Sequence, residues 1–216
     1  MVDTVLGVDR KYIELLLEET PGYRNPREEL EQYITPSDIA SKLLWEALLR
    51  GDVIDKTIAD YGCGTLRLGL TALLLGCRRV VGVDIDFEPL DTVYEWLSSR
   101  DYRYRVLLIN SDVRSIVLRN IDTVVMNPPF GVKKHNRGID MAFLYRALET
   151  ARRSVYTMHK ASSGEEKLVR DIASSLGYTI VYYSRELFKI GMLYPRHRRR
   201  VYRVAIDMYG LRRVMG

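Results

Sequence analysis

The most specific chemistry in this 216-residue sequence is carried by four consecutive residues, Asn127-Pro128-Pro129-Phe130. The exocyclic amino group of a nucleobase is planar and weakly nucleophilic, because its lone pair is delocalised into the ring. The side-chain carbonyl of Asn127 and the backbone carbonyl of Pro128 can accept both N–H hydrogens and draw the nitrogen toward a tetrahedral shape. Two prolines hold these acceptors at low entropy, and Phe130 can stack on an extruded base. The tetrapeptide therefore predicts a catalytic site for a planar amino group that needs no general base.

A glycine-containing turn upstream has the form of a nucleoside-binding site. The stretch D-Y-G-C-G-T at 60–65 follows an apolar run, and its glycines let the backbone approach a ligand closely. Asp84 ends the next apolar run about 20 residues downstream, where a carboxylate can hold a ribose diol. Asp112, after a third run, can accept a hydrogen bond from an adenine amino group. The predicted cofactor-binding residues in this part of the chain are Asp60, Gly62, Gly64, Thr65, Asp84 and Asp112.

Dinucleotide dehydrogenases share this turn and have to be weighed against another nucleoside cofactor. Their G-x-G-x-x-G pattern has its third glycine where this sequence has Arg67, and a pyrophosphate needs bare amides at the helix start. S-adenosylmethionine carries no phosphate. The turn therefore argues against NAD and is compatible with S-adenosylmethionine. Methyl transfer from that cofactor is an in-line displacement at the sulfonium carbon, in which positioning does most of the catalysis.

Short apolar runs alternate with helical patterns from residue 57 onward and predict an α/β fold. Predicted strands span 57–61, 79–85, 105–109, 122–126, 154–159, 179–189 and 200–208, and predicted helices span 66–76, 87–100 and 139–153. This alternation is typical of a Rossmann-like, seven-stranded, mostly parallel sheet with helices on both faces. Too few residues join the last two strands for a helical crossover, so we predict a C-terminal antiparallel strand.

The segment ahead of this alternation has its own helical signals. Residues 9–19 predict a short amphipathic helix, and a second helix begins at Thr35-Pro36-Ser37-Asp38, with Thr35 as its cap. We expect a single domain over 1–216, in which residues 1–35 form a helix and a lead-in to the cofactor site and residues 36–216 form the core.

The charged residues indicate a polyanionic partner. Lys and Arg total 33 against 28 Asp and Glu, a net charge of +5. Two dense basic clusters lie at 133–137 and 196–200, and phosphate contact would explain both. The first follows N-P-P-F directly, so we expect it to close over an RNA strand. The predicted RNA-binding residues are Lys133, Lys134, Arg137, Arg198, Arg199 and Arg200.

The lengths of the apolar runs and the number of cysteines indicate the cellular compartment of the protein. No apolar run reaches the roughly 18 to 20 residues of a membrane span, and the N-terminus does not read as a signal peptide. Cys63 and Cys77 are the only cysteines, and two thiols provide neither a zinc-ligand set nor a disulfide framework. We therefore expect no metal site and a cytoplasmic location.

With these motifs assembled, the sequence resembles a class I Rossmann-like methyltransferase of the N-P-P-F group. More narrowly, it is similar to the methyltransferase-like-five family, the small-subunit ribosomal RNA adenosine N6-methyltransferases of archaea and eukaryotes. The resemblance runs from about residue 28 almost to the C-terminus, and its last two blocks separate this family from other N-P-P-F enzymes. The blocks are E-Q-Y-I-T-P at 31–36, D-Y-G-C-G at 60–64, V-D-I-D at 83–86, N-P-P-F-G at 127–131, G-I-D-M-A-F-L at 138–144 and Y-T-M-H-K at 156–160.

The resemblance implies further site residues and a partner. Gln32 and Thr35 would join the cofactor site, and residues 127–130 would hold an adenine of small-subunit ribosomal RNA. Eukaryotic members work with a small zinc-ribbon activator that adds a strand to the sheet edge, and the expected edge strand here is 105–109. One departure is Leu66, at a position where these enzymes often carry a further glycine.

Other functions compatible with the same motifs remain open. Guanine N2, DNA adenine N6 and a glutamine side chain each present a planar NH2 group to an N-P-P-F site. We expect no separate target-recognition domain, which argues against a sequence-specific DNA enzyme. A non-catalytic RNA-binding scaffold with a retained cofactor pocket is the alternative from another class. The intact set of Asp60, Asp84, Asp112 and Asn127 argues against that scaffold.

Overall fold

The computed structural model describes residues 4–5, 8–131, 136–191 and 201–214, which contain a seven-stranded sheet. A short ladder of β1 (Thr4–Val5) with β2 (Val8–Asp9) precedes that sheet. The strands of the sheet are β3 (Thr57–Tyr61), β4 (Arg79–Asp84), β5 (Val106–Asn110), β6 (Ile121–Met126), β7 (Ala151–Lys160), β8 (Tyr178–Gly191) and β9 (Val201–Arg213). Their order is β5-β4-β3-β6-β7-β9-β8, and β9 is antiparallel to both of its neighbours while β3 to β7 pair in parallel.

Helices pack on both faces of this sheet. They are α1 (Arg10–Glu18), α2 (Ser37–Leu49), α3 (Arg67–Leu74), α4 (Phe87–Leu97), α5 (Ile139–Thr150) and α6 (Ser163–Ser175), with 3-10 turns at Glu28–Leu30 and Asp101–Arg105. Successive residues of a strand point to opposite faces. Ile58 accordingly lies in the core cluster that α1 to α4 share, whereas Ala59 and Tyr61 lie in the cluster of α5 and α6.

The predicted fold class is confirmed, including the antiparallel strand. All seven predicted strands are present, and the predicted edge segment forms β5, which pairs only with β4 among the described strands. The helix predicted over 139–153 is shorter, because Ala151 has extended dihedrals (φ −70°, ψ 130°) and starts β7 directly. Within the described residues, no helix combines the length and the apolarity needed to cross a bilayer.

Helix α6 is missing from the sequence-based prediction, although its start carries a capping signal. The Glu165 backbone N–H donates to Ser162 Oγ at 3.2 Å, the S-x-x-E arrangement of a capping box. The helix buries only Val169 and Ala173 fully, so its apolar periodicity is weak. Weak burial explains why hydrophobic spacing alone does not reveal this helix.

The predicted cap of α2 is wrong. The helix begins at Ser37, and its cap position is Pro36, which has no side chain able to accept from the first turn. The Asp38 carboxylate instead accepts from the Ile39 backbone N–H at 3.0 Å. The Thr35 hydroxyl has a different partner, Asn127, because β6 brings that residue next to the lead-in.

Candidate active site

A cavity of about 210 Å³ lies where β3, β4 and β6 end. The carboxyl ends of parallel strands are where α/β sheets bind ligands, because the connecting loops diverge there. All four predicted catalytic residues line the cavity, and so do all predicted cofactor residues except Gly64. These lining residues are Gln32, Thr35, Asp60, Gly62, Thr65, Asp84, Asp112, Asn127, Pro128, Pro129 and Phe130.

The predicted RNA-binding residues are only partly described. Arg137 is exposed and does not line the cavity. Lys133 and Lys134 lie outside the described residues, and so do Arg198, Arg199 and Arg200. Their roles therefore stay predictions.

The two glycines of the turn are required by conformation and by space. Gly62 and Gly64 have φ values of 65° and 49°, which L side chains rarely adopt. A Cβ on Gly62 would lie 3.0 Å from the Phe143 ring, and one on Gly64 would lie 1.9 Å from the Tyr23 hydroxyl oxygen. The turn therefore allows the lead-in and α5 to approach closely the end of the cavity that Gly62 and Asp84 line, which we call the cofactor end.

Leu66 has the left-handed conformation in which glycine is the usual residue. Its φ is 60°, which costs a non-glycine residue about 1–2 kcal/mol. The side chain is fully buried and fills the space over Gly69 and Gly82, where added Cβ atoms would lie 2.9 and 2.6 Å from it. This core contact offsets the strain, so the departure from the family pattern leaves the turn intact.

The carboxylate of Asp84 is fixed by backbone amides. Gly64 N–H donates to Oδ2 at 2.7 Å, and Asp86 N–H donates to Oδ1 at 2.9 Å. Burial raises the pKa of Asp84, while the amide hydrogen bonds oppose that rise. Each carboxylate oxygen keeps a second lone pair, so Asp84 can still accept a hydrogen bond from a ribose hydroxyl.

Asp60 lies deeper at the end of β3. Its Oδ2 accepts from the Gly69 backbone N–H at 2.8 Å, which ties the turn to the first part of α3. Burial raises the pKa of Asp60 to about 8. Asp60 is therefore mainly protonated at neutral pH, and its neutral form avoids a second buried charge beside Asp84.

The lead-in is attached to the cofactor end through Gln32. Gln32 Nε2 donates to Asp86 Oδ2 at 2.7 Å, and its Oε1 accepts from the Arg27 backbone N–H at 2.7 Å. The structure therefore places Gln32 in the predicted region, where its amide connects the lead-in to the loop after β4.

Asp112 lines the cavity while it is paired to a neighbour. Arg114 Nε lies 3.0 Å from both carboxylate oxygens, and the Arg114 backbone N–H donates to Oδ1 at 2.8 Å. The Arg114 guanidinium lowers the pKa of Asp112, so the carboxylate stays ionised. An adenine amino group would share this carboxylate with Arg114.

Asn127 presents an acceptor into the cavity. Its Nδ2 donates to Thr35 Oγ1 at 3.0 Å, which fixes the amide plane. Its Oδ1 is buried and has no hydrogen-bond partner within the described part of the chain. Because buried polar atoms are almost always satisfied, this oxygen indicates a missing donor from a ligand.

Two aromatic rings form the wall beside Asn127. Phe130 meets Phe188 of β8 edge to face, with centroids 6.0 Å apart and planes at 84°. Phe188 is buried and lines the same cavity. Sequence reasoning missed Phe188, because no local signal shows that β8 reaches the end of β6.

A second group that sequence reasoning left without a role is the buried pair Asp140 and His159. His159 Nδ1 lies 3.2 Å from Asp140 Oδ2, and its Nε2 lies 3.0 Å from Thr157 Oγ1. Thr157 pairs with Met126, the last residue of β6, so His159, two residues further along β7, lies next to the N-P-P-F turn that follows β6. The two family blocks at 138–144 and 156–160 therefore meet in one contact that joins α5 to β7.

Comparisons with known proteins agree with this architecture. Residues 35–160 match the family model described as the methyltransferase small domain. The PH1948 structure from Pyrococcus horikoshii, a candidate RNA methyltransferase, has a TM-score of 0.87 and 32% identity, covering 95% of this chain and 98% of that one. Magnesium protoporphyrin IX methyltransferase from Synechocystis, with S-adenosylmethionine bound, shares the fold at a TM-score of 0.61 and 15% identity, covering 98% and 100%. Fold and site thus define a Rossmann-like methyltransferase with S-adenosylmethionine as cofactor.

The narrower family follows from two curated relatives. METTL5 of Danio rerio, named an rRNA N(6)-adenosine-methyltransferase, is 38% identical over 157 residues, covering 71% of this chain and 75% of the relative. Mettl5 of Drosophila melanogaster, which has the same functional name, is 36% identical and covers 70% and 72%. This chain belongs to the METTL5 family of methyltransferases.

The residues of the cavity fit the cofactor of this family. S-adenosylmethionine offers ribose hydroxyls and amino groups as donors and carries cationic charge. Asp84 and Asp112 supply carboxylate acceptors, and Gly62 leaves backbone surface open beside them. This donor and acceptor pattern suits a nucleoside without phosphates.

Proposed function

We propose that this chain transfers a methyl group from S-adenosylmethionine to the N6 amino group of an adenosine in small-subunit ribosomal RNA. The observation that carries the proposal is the buried Oδ1 of Asn127, which lines the cavity beside Phe130 and has no partner among the residues that the structure describes. An amino N–H of adenine is a donor of the right kind for this oxygen. The names of the METTL5 relatives support the reaction and the ribosomal RNA substrate.

Each residue of the site has a role in this reaction. Asn127 Oδ1 and the Pro128 carbonyl accept the two N–H hydrogens, Phe130 stacks on the base, and Thr35 holds the Asn127 amide in place. The cofactor supplies an electrophilic methyl carbon on a sulfonium. That methyl carbon would pass to the adenine nitrogen held by Asn127 and Pro128, and the electron pair of the broken carbon–sulfur bond would remain on sulfur. The methylated nitrogen then loses one proton to solvent.

The cofactor roles assigned from sequence belong to the same proposal. Asp84 accepts from the ribose diol, Asp112 accepts from the adenine amino group of the cofactor, and Gly62 lets the backbone approach it. Asp60, Gly64, Thr65, Gln32 and Thr35 shape the surrounding turn and lead-in. Support comes from the fixed Asp84 carboxylate and from the cavity that most of these residues line.

The RNA contacts and the chain organisation complete the proposal. The basic residues at 133–137 and 198–200 contact the phosphates of the substrate, next to and beyond the N-P-P-F turn. Residues 1–216 act as one methyltransferase unit in the cytoplasm. Two buried free thiols, Cys63 and Cys77, suit a reducing compartment.

We also propose that β5 is the docking edge for a zinc-ribbon activator. One side of β5 has no partner strand among the described residues, and an exposed edge can accept a further strand. Leu107 in this strand and Tyr104 just before it are exposed by 52% and 82%. Leu107→Lys should abolish co-elution with such an activator and keep cofactor binding. Co-elution that survives this substitution would exclude β5 as the edge.

The first experiment is transfer of a labelled methyl group onto unmodified small-subunit ribosomal RNA, followed by nucleoside mass spectrometry. We expect N6-methyladenosine that disappears with Asn127→Ala, while cofactor binding by calorimetry stays intact. Label on guanosine would keep the site and refute the adenosine substrate. Intact cofactor binding without any RNA label, even with an activator present, would refute the RNA substrate.

A further inference from the structure

A row of basic side chains lies at the end of the sheet opposite the cavity, where the parallel strands begin and the antiparallel β9 ends. We call this row the amino rim. Six adjacent strands of the sheet, β5, β4, β3, β6, β7 and β9, each bring at least one cation to it within two residues of a strand end. Its members are Lys56, Arg78, Arg79, Arg105, Arg119, Arg152 and Arg213.

Contacts along the first half of the rim show that its members are neighbours. Arg105 Nε donates to the Arg78 carbonyl at 3.4 Å, and Arg78 Nη2 donates to Thr57 Oγ1 at 3.0 Å. The Thr57 backbone N–H in turn donates to Asp122 Oδ2 at 2.8 Å. These bonds run from β5 through β4 and β3 to β6 without a gap.

The second half of the rim is continuous as well. The Arg152 guanidinium donates to the Asn120 side chain, which joins the start of β7 to the start of β6. Arg213 Nη2 donates to the Ala151 carbonyl at 3.1 Å, which joins the end of β9 to β7. At about 4.8 Å between strands, six strands span about 24 Å, a length that covers several phosphates of a nucleic-acid strand.

The rim cations share a lack of acidic partners within the described part of the chain. None of the seven forms an ion pair with a residue that the structure describes, whereas arginines elsewhere pair with carboxylates, for example Arg146 with Glu149 and Arg170 with Glu166. The nearby buried carboxylate of Asp52 is already neutralised by Arg153 and Arg212. Further acidic residues near the same strand ends are Asp55, Asp101, Asp122 and Glu149, of which Glu149 pairs with Arg146.

The geometry points to a second RNA contact: we propose that the amino rim binds the phosphate backbone of the substrate RNA. This inference rests on the proposed function, which makes structured RNA the substrate. Six of the seven cations are arginines, whose planar guanidinium groups match phosphate oxygens in pairs. An unneutralised row of such groups gains affinity by releasing counterions from RNA.

The position of the rim determines which RNA can use it. Strand β3 has five residues, so at about 3.3 Å per residue the rim lies at least about 16 Å from the end of the sheet that holds the reaction pocket. A stacked oligonucleotide of about three nucleotides spans about 10 Å at about 3.4 Å per nucleotide, so in the pocket it does not extend that far. A folded RNA with several helices can occupy the pocket with one segment and the rim with another.

The test compares two charge-reversal variants with the same change in net charge. Arg79→Glu with Arg119→Glu alters two exposed rim side chains for which the structure shows no hydrogen bond within its described part. The control, Lys167→Glu with Arg170→Glu, alters two exposed positions on α6. Binding of a small-subunit ribosomal RNA fragment is measured against salt concentration, together with methyl-transfer kinetics on that fragment and on a short oligonucleotide excised from it.

We expect the rim variant to bind the long RNA about tenfold more weakly near 0.1 M salt. Its slope of log K against log salt should be shallower by about 2, since each lost phosphate contact removes about 0.9. KM for the long RNA should rise while kcat, the kinetics on the short oligonucleotide and the cofactor affinity stay at wild-type values. The α6 control should match the wild type throughout.

Two results would overturn the inference. Equal RNA affinities and salt slopes for the rim variant and the wild type would remove the rim from RNA binding. Unchanged RNA binding with lost binding of polyglutamate would assign the rim to an acidic protein instead. The RNA-binding measurement does not depend on catalysis, so it distinguishes failure of this inference from failure of the proposed methylation. If only the methylation proposal is wrong, the wild type would bind RNA through the rim and transfer no methyl group.

Discussion

Thr35→Val tests whether the orientation of the Asn127 amide determines the rate of methyl transfer. Valine has nearly the same shape as threonine and removes only the hydroxyl that accepts from Asn127 Nδ2 at 3.0 Å. Thr35 is 6% exposed and lines the cavity, so once cofactor and adenine fill that cavity little water is left to replace the lost acceptor. Leaving a buried donor unsatisfied costs about 1–3 kcal/mol, and the amide can escape that cost by rotating. Rotation would take Oδ1 away from the substrate amino group.

The expected effect is a fall in kcat of about 5- to 150-fold, because 1.36 kcal/mol corresponds to a factor of ten in rate. The assay is steady-state methyl transfer at saturating cofactor, with cofactor affinity measured separately by calorimetry. Thr35→Ser keeps the hydroxyl and is the matched control, which should stay within about threefold of the wild type. A wild-type kcat for Thr35→Val would show that the hydrogen bond to Thr35 does not orient Asn127.

Three further substitutions test other contacts of the structure. Asp60→Asn should flatten the pH dependence of the melting temperature. The raised pKa of Asp60 contributes its whole stabilising effect below about pH 4, and this contribution is lost as the pH rises through about 8. Thermal scans of the variant and the wild type across this pH range measure the difference. Asp52→Asn should lower unfolding stability by about 1–3 kcal/mol in denaturant titrations, because Asn cannot satisfy all the donors that Asp52 accepts from, while the two arginines left without it are partly exposed to water. Asp55→Asn, at an exposed neighbouring position, should change it by less than about 0.5 kcal/mol. Gly64→Ala should weaken cofactor binding in calorimetry at least tenfold, because the φ of 49° at this position is one that L side chains rarely adopt and the added Cβ would also collide with Tyr23; a wild-type affinity would mean that the turn adapts.

The parts of the site that the sequence predicts are those with a local cause. Asp84 lies at the end of an apolar run, and a parallel sheet brings all such ends to one edge, so its place beside Gly62 follows from the strand pattern. The same reasoning locates Asn127 after β6. Neither inference needs knowledge of which strands are neighbours.

The parts that the sequence does not predict depend on contacts between distant segments. Phe188 reaches the cavity only because β8 and β9 pair over 13 residue positions and extend past the end of β7. Its alternation in the strand predicts a buried side chain but not the ring of Phe130 as its neighbour. Thr35 is the opposite case, in which a local signal gives a wrong prediction. Its position before α2 predicts a helix cap, but its hydroxyl instead accepts a hydrogen bond from a residue 92 positions away.

The lead-in connects the two ends of the cavity, and this connection gives Thr35 and Gln32 a common purpose. Gln32 is bonded to Asp86, whose backbone N–H is bonded to the Asp84 carboxylate, while Thr35 is bonded to Asn127. Only Tyr33 and Ile34 lie between the two attachment points, so three residue steps of at most about 3.6 Å limit the span to about 11 Å. In-line methyl transfer requires the reacting atoms to approach within about 3–3.5 Å in alignment. A short segment attached to both the loop after β4 and Asn127 limits how far these two groups can move apart, so under the proposed function the lead-in would belong to the catalytic geometry as much as the glycine turn and N-P-P-F.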